Sequence, residues 1–138
     1  MNVRFFFLCI ALTGMAHADA RPKLELQCVS IGEGPALECT ARLQNANGEP
    51  IKTATVTLAA HMPSMPMAHS IKPVVAVTTN HPGEYRTQLE LEMPGVWAIQ
   101  VDLSAPSRDR FIRRMQVERC EKGKRCPALA TSSKTSKP

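Results

Sequence analysis

At 138 residues and a formal net charge of +5, the chain holds one small domain's worth of sequence. Aromatic residues make up only 4% of it, too few for the base-stacking surfaces of single-strand binders, so the basic balance does not point to nucleic acid. No apolar run reaches the roughly 20 residues that cross a bilayer, and no stable membrane insertion is expected.

In chain order, Arg4 supplies a positive leader and residues 5–16 a short apolar run. Ala16-His17-Ala18 and Ala18-Asp19-Ala20 then offer two small-x-small cleavage patterns. Residues 1–20 read as a secretory signal peptide, cut after Ala18 or Ala20, and the mature protein as periplasmic or secreted. Cys9 leaves with the signal, and the residues before it do not fit a lipidated cysteine. Cys28, Cys39, Cys120 and Cys126 remain, an even set that in an exported chain predicts disulfides. Local pairing is preferred. A two-residue loop at Glu33-Gly34 would set Cys28 opposite Cys39, and Cys120 and Cys126 flank the short run Glu-Lys-Gly-Lys-Arg. The rivals are a crossed pairing, or a metal or redox site at Cys120 and Cys126.

Period-2 alternation dominates the mature chain, with no convincing helical stripe. Leu24, Leu26 and Cys28 alternate with polar residues, as do Leu37, Cys39, Ala41 and Leu43. The turn cluster of residues 45–50 precedes Ala54, Val56, Leu58 and Ala60, which oppose Thr53, Thr55 and Thr57. Val75 and Val77 share a further strand, ended by Asn80-His81-Pro82-Gly83. Tyr85, Thr87, Leu89, Leu91 and Met93 alternate up to Pro94-Gly95. Trp97, Ile99, Val101 and Leu103 follow, and Phe111, Arg113, Met115 and Val117 make the last strand. About seven short strands joined by Gly, Pro and Asn turns predict an all-β, immunoglobulin-like antiparallel sandwich. Gly83-Glu84-Tyr85 has the look of a tyrosine corner, whose phenol bonds back to the preceding loop.

The layout is a signal peptide at 1–20, a sandwich domain at 21–120, and a basic, Cys-bearing, partly disordered tail at 121–138. Arg108, Arg110, Arg113, Arg114, Arg119, Lys122, Lys124 and Arg125 concentrate the charge late. They form a solvated basic face that an acidic partner fits.

One segment stands apart. Residues 61–69, His-Met-Pro-Ser-Met-Pro-Met-Ala-His, gather two of four histidines and three of seven methionines. Thioether and imidazole are copper's ligands, thioether favouring Cu(I) and a more histidine-rich set also admitting Cu(II). In strand register Met65, Met67 and His69 share one face. His61 has the same parity, and Met93 approaches from a strand end. The competing explanation is that these methionines fill core gaps. Catalytic sets are poor: Ser64 and Ser70 lie near the histidines without a Gly-x-Ser-x-Gly elbow. Glu90 and Glu92 read as an exposed strand face, and no phosphate loop occurs. An enzyme is not expected.

The Met-Pro run, then Pro82-Gly83-Glu84-Tyr85, then Leu91-Glu92-Met93-Pro94-Gly95-Val96-Trp97, resembles the YtkA-like family over roughly residues 50–103. That family is related to FixH-type proteins associated with respiratory oxidase assembly. The resemblance implies an exported immunoglobulin-like sandwich with a role in copper handling, with Met65, Met67, His69 and Met93 at matching positions. His61 replaces what is often an acidic residue there. Unlike the FixH type, the chain has no expected membrane anchor, and the Cys28–Cys39 hairpin and the basic tail lie outside the resemblance. The expectation is therefore an exported copper-binding protein that buffers or delivers copper, exchanging it with a donor or acceptor protein, through His61, Met65, Met67, His69 and Met93. The alternative is a non-metal interaction module with an apolar Met-Pro loop and a basic docking face.

Overall fold

The computed structural model describes residues 21–32 and 34–130. The expected signal peptide, the chain end from 131 to 138 and Glu33 lie outside the described residues. Alternating segments become strands β1 (Lys23–Ile31), β2 (Ala36–Gln44), β3 (Thr55–His61), β4 (Ser70–Val75), β5 (Val77–Thr78), β6 (Glu84–Glu90), β7 (Gly95–Ala105), β8 (Asp109–Val117), β9 (Arg125–Pro127) and β10 (Leu129–Ala130). They form two antiparallel sheets, ordered β5-β6-β2-β1-β9 and β10-β8-β7-β3-β4, in an immunoglobulin-like sandwich. Six of the anticipated strands form as β1, β2, β3, β6, β7 and β8, and the one expected at Val75 and Val77 is divided between β4 and β5. β9 and β10 are too short to leave a periodic signal.

Because side chains alternate across a pleated strand, one parity of each long strand faces inward. Leu37, Cys39, Ala41 and Leu43 from β2 meet Val56, Leu58 and Ala60 from β3, and Trp97, Ile99, Val101 and Leu103 from β7. Each large apolar side chain buried this way contributes about 1.5–3 kcal/mol. The Tyr85 hydroxyl donates to the Ile51 carbonyl at 2.8 Å and accepts from the Ala54 N–H at 2.8 Å. The corner therefore ties β6 to the β2–β3 connection, a loop distant in sequence, and satisfies two backbone groups beside the core.

Cys28 pairs directly with Cys39 in the β1–β2 register, their Cα atoms 4.1 Å apart, and the two form a disulfide. Cys120 and Cys126 form the second. The pairing is the local one.

Both open sides of the sandwich are covered by a segment that changes sheet. On one side Val75 and Val77 do not share a strand as expected. The chain leaves β3 after β4 and joins β6 as β5, and between them the buried Ala76 donates its N–H to the Val56 carbonyl at 2.9 Å. On the other side β9 pairs with β1 and β10 with β8, while Ala128 N–H reaches the Cys28 carbonyl at 2.9 Å. Residues 125–130 thus belong to the sandwich, and the domain limit expected at residue 120 falls short of it. A paired edge no longer offers its backbone groups to other chains.

Candidate metal centre

The Met/His segment connects β3 to β4. Pro63 and Pro66 have no N–H to donate to a strand ladder, so the chain closes by turns instead. Met62 N–H bonds the His69 carbonyl at 3.1 Å across the base of the loop. Inside it, Met65 N–H reaches Met62 O at 3.1 Å, Ala68 N–H reaches Met65 O at 3.1 Å, and His69 N–H reaches Met65 O at 3.2 Å. The strand register expected for Met65, Met67 and His69 therefore does not form. An i to i+4 turn, closed between the Met65 carbonyl and the His69 N–H, replaces it. Met65 and His69 are the two ends of that turn, and Met67 lies between them.

Exposure separates the methionines. Met62 is 5% exposed and belongs to the core, whereas Met65 is 39% and Met67 97% exposed. Met93 is partly buried against the core. Gap filling thus describes Met62 and cannot describe Met67.

His61 ends β3 opposite Ala98 and Ser70. Its neighbours Ala60 and Met62 both point into the core, so the intervening His61 faces the outer side of its sheet. Shared parity with the loop residues does not gather it with them, because the regular strand stops at His61.

The loop is anchored to the β6–β7 turn, residues 91–94. His69 Nδ1 pairs with a carboxylate oxygen of Glu92. Below this contact, Met62 Cε lies so near Gly95 that a Cβ added there would sit 2.7 Å from it. Met93 follows Glu92 in the same turn, and its carbonyl accepts the Trp97 indole N–H at 3.0 Å. Glu92 does not lie on the exposed strand face expected for it. β6 ends at Glu90, and Pro94-Gly95 two residues on is the signal that marks Glu92 as part of a turn.

Among the described residues, no three of His, Cys, Asp and Glu gather into a metal-holding group. The soft donors that the chain carries at this end of the sandwich are Met65, Met67 and His69 on the β3–β4 loop and Met93 on the β6–β7 turn. In ligand softness such a set fits Cu(I) and does not resemble the oxygen-rich cages of calcium or magnesium.

An antiparallel sandwich with a cross-strand disulfide and a second disulfide closing its edge has the chemistry of a domain from an oxidising, exported setting. The sequence profile of the YtkA-like family matches residues 13–102, and the chain belongs to that family. The match takes in the Cys28–Cys39 hairpin, which the motif resemblance left out, and stops within β7. No curated protein matches the chain.

Proposed function

We propose that this is an exported, periplasmic copper-binding protein, released from a signal peptide, that buffers or delivers Cu(I) through the loop between β3 and β4. The observation that carries the reading is Met67, an apolar side chain held 97% exposed at the tip of a loop in which Met65 and His69 flank it. Exposed thioethers are exchangeable soft ligands. A carrier needs such ligands and no general acid or base, and the protein acts on copper as cargo. Met93 joins the set from the adjoining turn, and His61 stands outside it. Copper passes to or from a second protein, and an acidic partner suits the arginines of β8 and the segment after it.

The second reading, a non-metal interaction module, draws on the same exposure of Met67. Replacing Met65 and Met67 together by leucine distinguishes the two, since leucine keeps the apolar volume and removes the sulfur. The processed protein is titrated with Cu(I) against a chromogenic chelator. Wild type is expected to compete, and the Met65→Leu/Met67→Leu protein to bind at least about tenfold more weakly, each tenfold being 1.4 kcal/mol. Equal competition by the two proteins, or none by wild type, ends the copper reading.

A further inference from the structure

We propose that Glu92 is a positioning residue for the copper site: it holds the Nδ1 hydrogen of His69 and leaves Nε2 as the nitrogen presented to the metal. The inference rests on the copper reading above and adds a residue to it. A neutral imidazole carries one N–H and one lone pair, and an ionised carboxylate can only accept. The nitrogen facing Glu92 therefore bears the hydrogen, and the ring is held as the tautomer whose lone pair lies on Nε2.

The contact is made between two turns 23 residues apart in sequence. Glu92 is 51% and His69 26% exposed at their side chains, and a polar contact so open to solvent contributes little to folding. Its effect falls on the ligand: ring orientation, tautomer and the basicity of the donor nitrogen. The same contact draws the imidazole of the β3–β4 loop toward the turn that carries Met93. It thereby joins the two connections on which the chain carries its soft donors.

Glu92→Ala and Glu92→Gln test this in the processed protein. The first measurement is the imidazole nitrogen–proton correlation spectrum of the metal-free protein at mildly alkaline pH. The second is Cu(I) competition against a chelator, and thermal unfolding of each variant checks that the fold is retained. Wild type is expected to show His69 as the Nδ1–H tautomer. Glu92→Ala is expected to lose that single tautomer and to bind Cu(I) about 10–100-fold more weakly. In Glu92→Gln the amide oxygen still accepts from Nδ1–H, so the tautomer and most of the affinity are kept.

An Nε2–H tautomer in wild type overturns the assignment, as does unchanged Cu(I) affinity in Glu92→Ala. If wild type competes and Glu92→Ala competes equally, the role of Glu92 alone falls. If wild type does not compete, the copper reading falls and takes this role with it.

Discussion

Gly83 and Gly95 stand in backbone conformations that side-chain-bearing residues rarely adopt, with φ of +74° and +144°. The two differ in what surrounds them. A Cβ at Gly83 would lie 2.7 Å from Pro50 Cβ and 2.8 Å from the Leu43 carbonyl, whereas at Gly95 it would meet only the flexible end of Met62 at 2.7 Å. Pro50 and the backbone of Leu43 cannot yield, while a methionine terminus can. Gly83→Ala is therefore expected to destabilise by about 2–4 kcal/mol and Gly95→Ala by about 1–2 kcal/mol, measured by urea unfolding. A larger loss at Gly95 would mean that Met62 is held more rigidly than a methionine end should be. Residue-scale features differ in how far they can be read from the chain. Gly83-Glu84-Tyr85 gives away the tyrosine corner, because the motif is local to one strand start, but the acceptor of its bond, Ile51, lies 34 residues away and depends on folding. Glu92 is hidden because it continues the alternation of Leu89 and Leu91 beyond the point where the strand has ended.

At the scale of elements, the segment after β8 behaves as a strap. The Cys120–Cys126 disulfide closes the loop before β9, Arg125 pairs with Glu38, and β9 and β10 attach to different sheets. Replacing both cysteines, Cys120→Ala/Cys126→Ala, is expected to cost about 2 kcal/mol for so short a loop. The amides of residues 125–130 should then exchange with solvent faster, while those in the β2–β6 and β3–β7 ladders remain protected. Hydrogen exchange checks this, and uniform acceleration across both sheets would show that the strap is not a separate unit. Strands of two and three residues in a charged segment have no detectable period, which is why this stretch reads as a tail. The Met/His loop is a related case: parity describes strands, and two prolines turn the segment into something parity does not describe.

For the molecule as a whole, acid stability follows from two carboxylates that bind distant parts of the chain together. Glu84 is 4% exposed and is held below its ordinary ionisation range, chiefly by the hydrogen bond from Arg42, against a desolvation effect that pushes the other way. Asp109 is likewise lowered, mainly by Arg21, which grips it through two nitrogens at 2.9 Å and lies over the Phe111 ring. A carboxylate with a folded pKa below its unfolded value contributes stability above the unfolded value, about 4. That contribution is lost as pH falls through the lower, folded value. Unfolding free energy should therefore fall with decreasing pH below about 4. The Glu84→Gln/Asp109→Asn protein should show a flatter acid limb and lower stability near neutrality. An unchanged acid limb, measured by urea unfolding across pH, would assign acid sensitivity to other groups.

By itself the sequence determined the alternation that becomes two sheets, a preference for the local disulfide pairing, the family, and the residue types from which a copper site can be drawn. These are local properties, set by period, turn chemistry and spacing along the chain. Only the tertiary structure decided where each candidate donor lies. It closed a backbone turn from Met65 to His69, left Met67 in solvent, put Met62 in the core and His61 on an outer sheet face, and brought Glu92 to His69 from another connection. The reason is physical: prolines end a ladder at a place local pattern cannot fix, and packing between sheets then sets which loops touch.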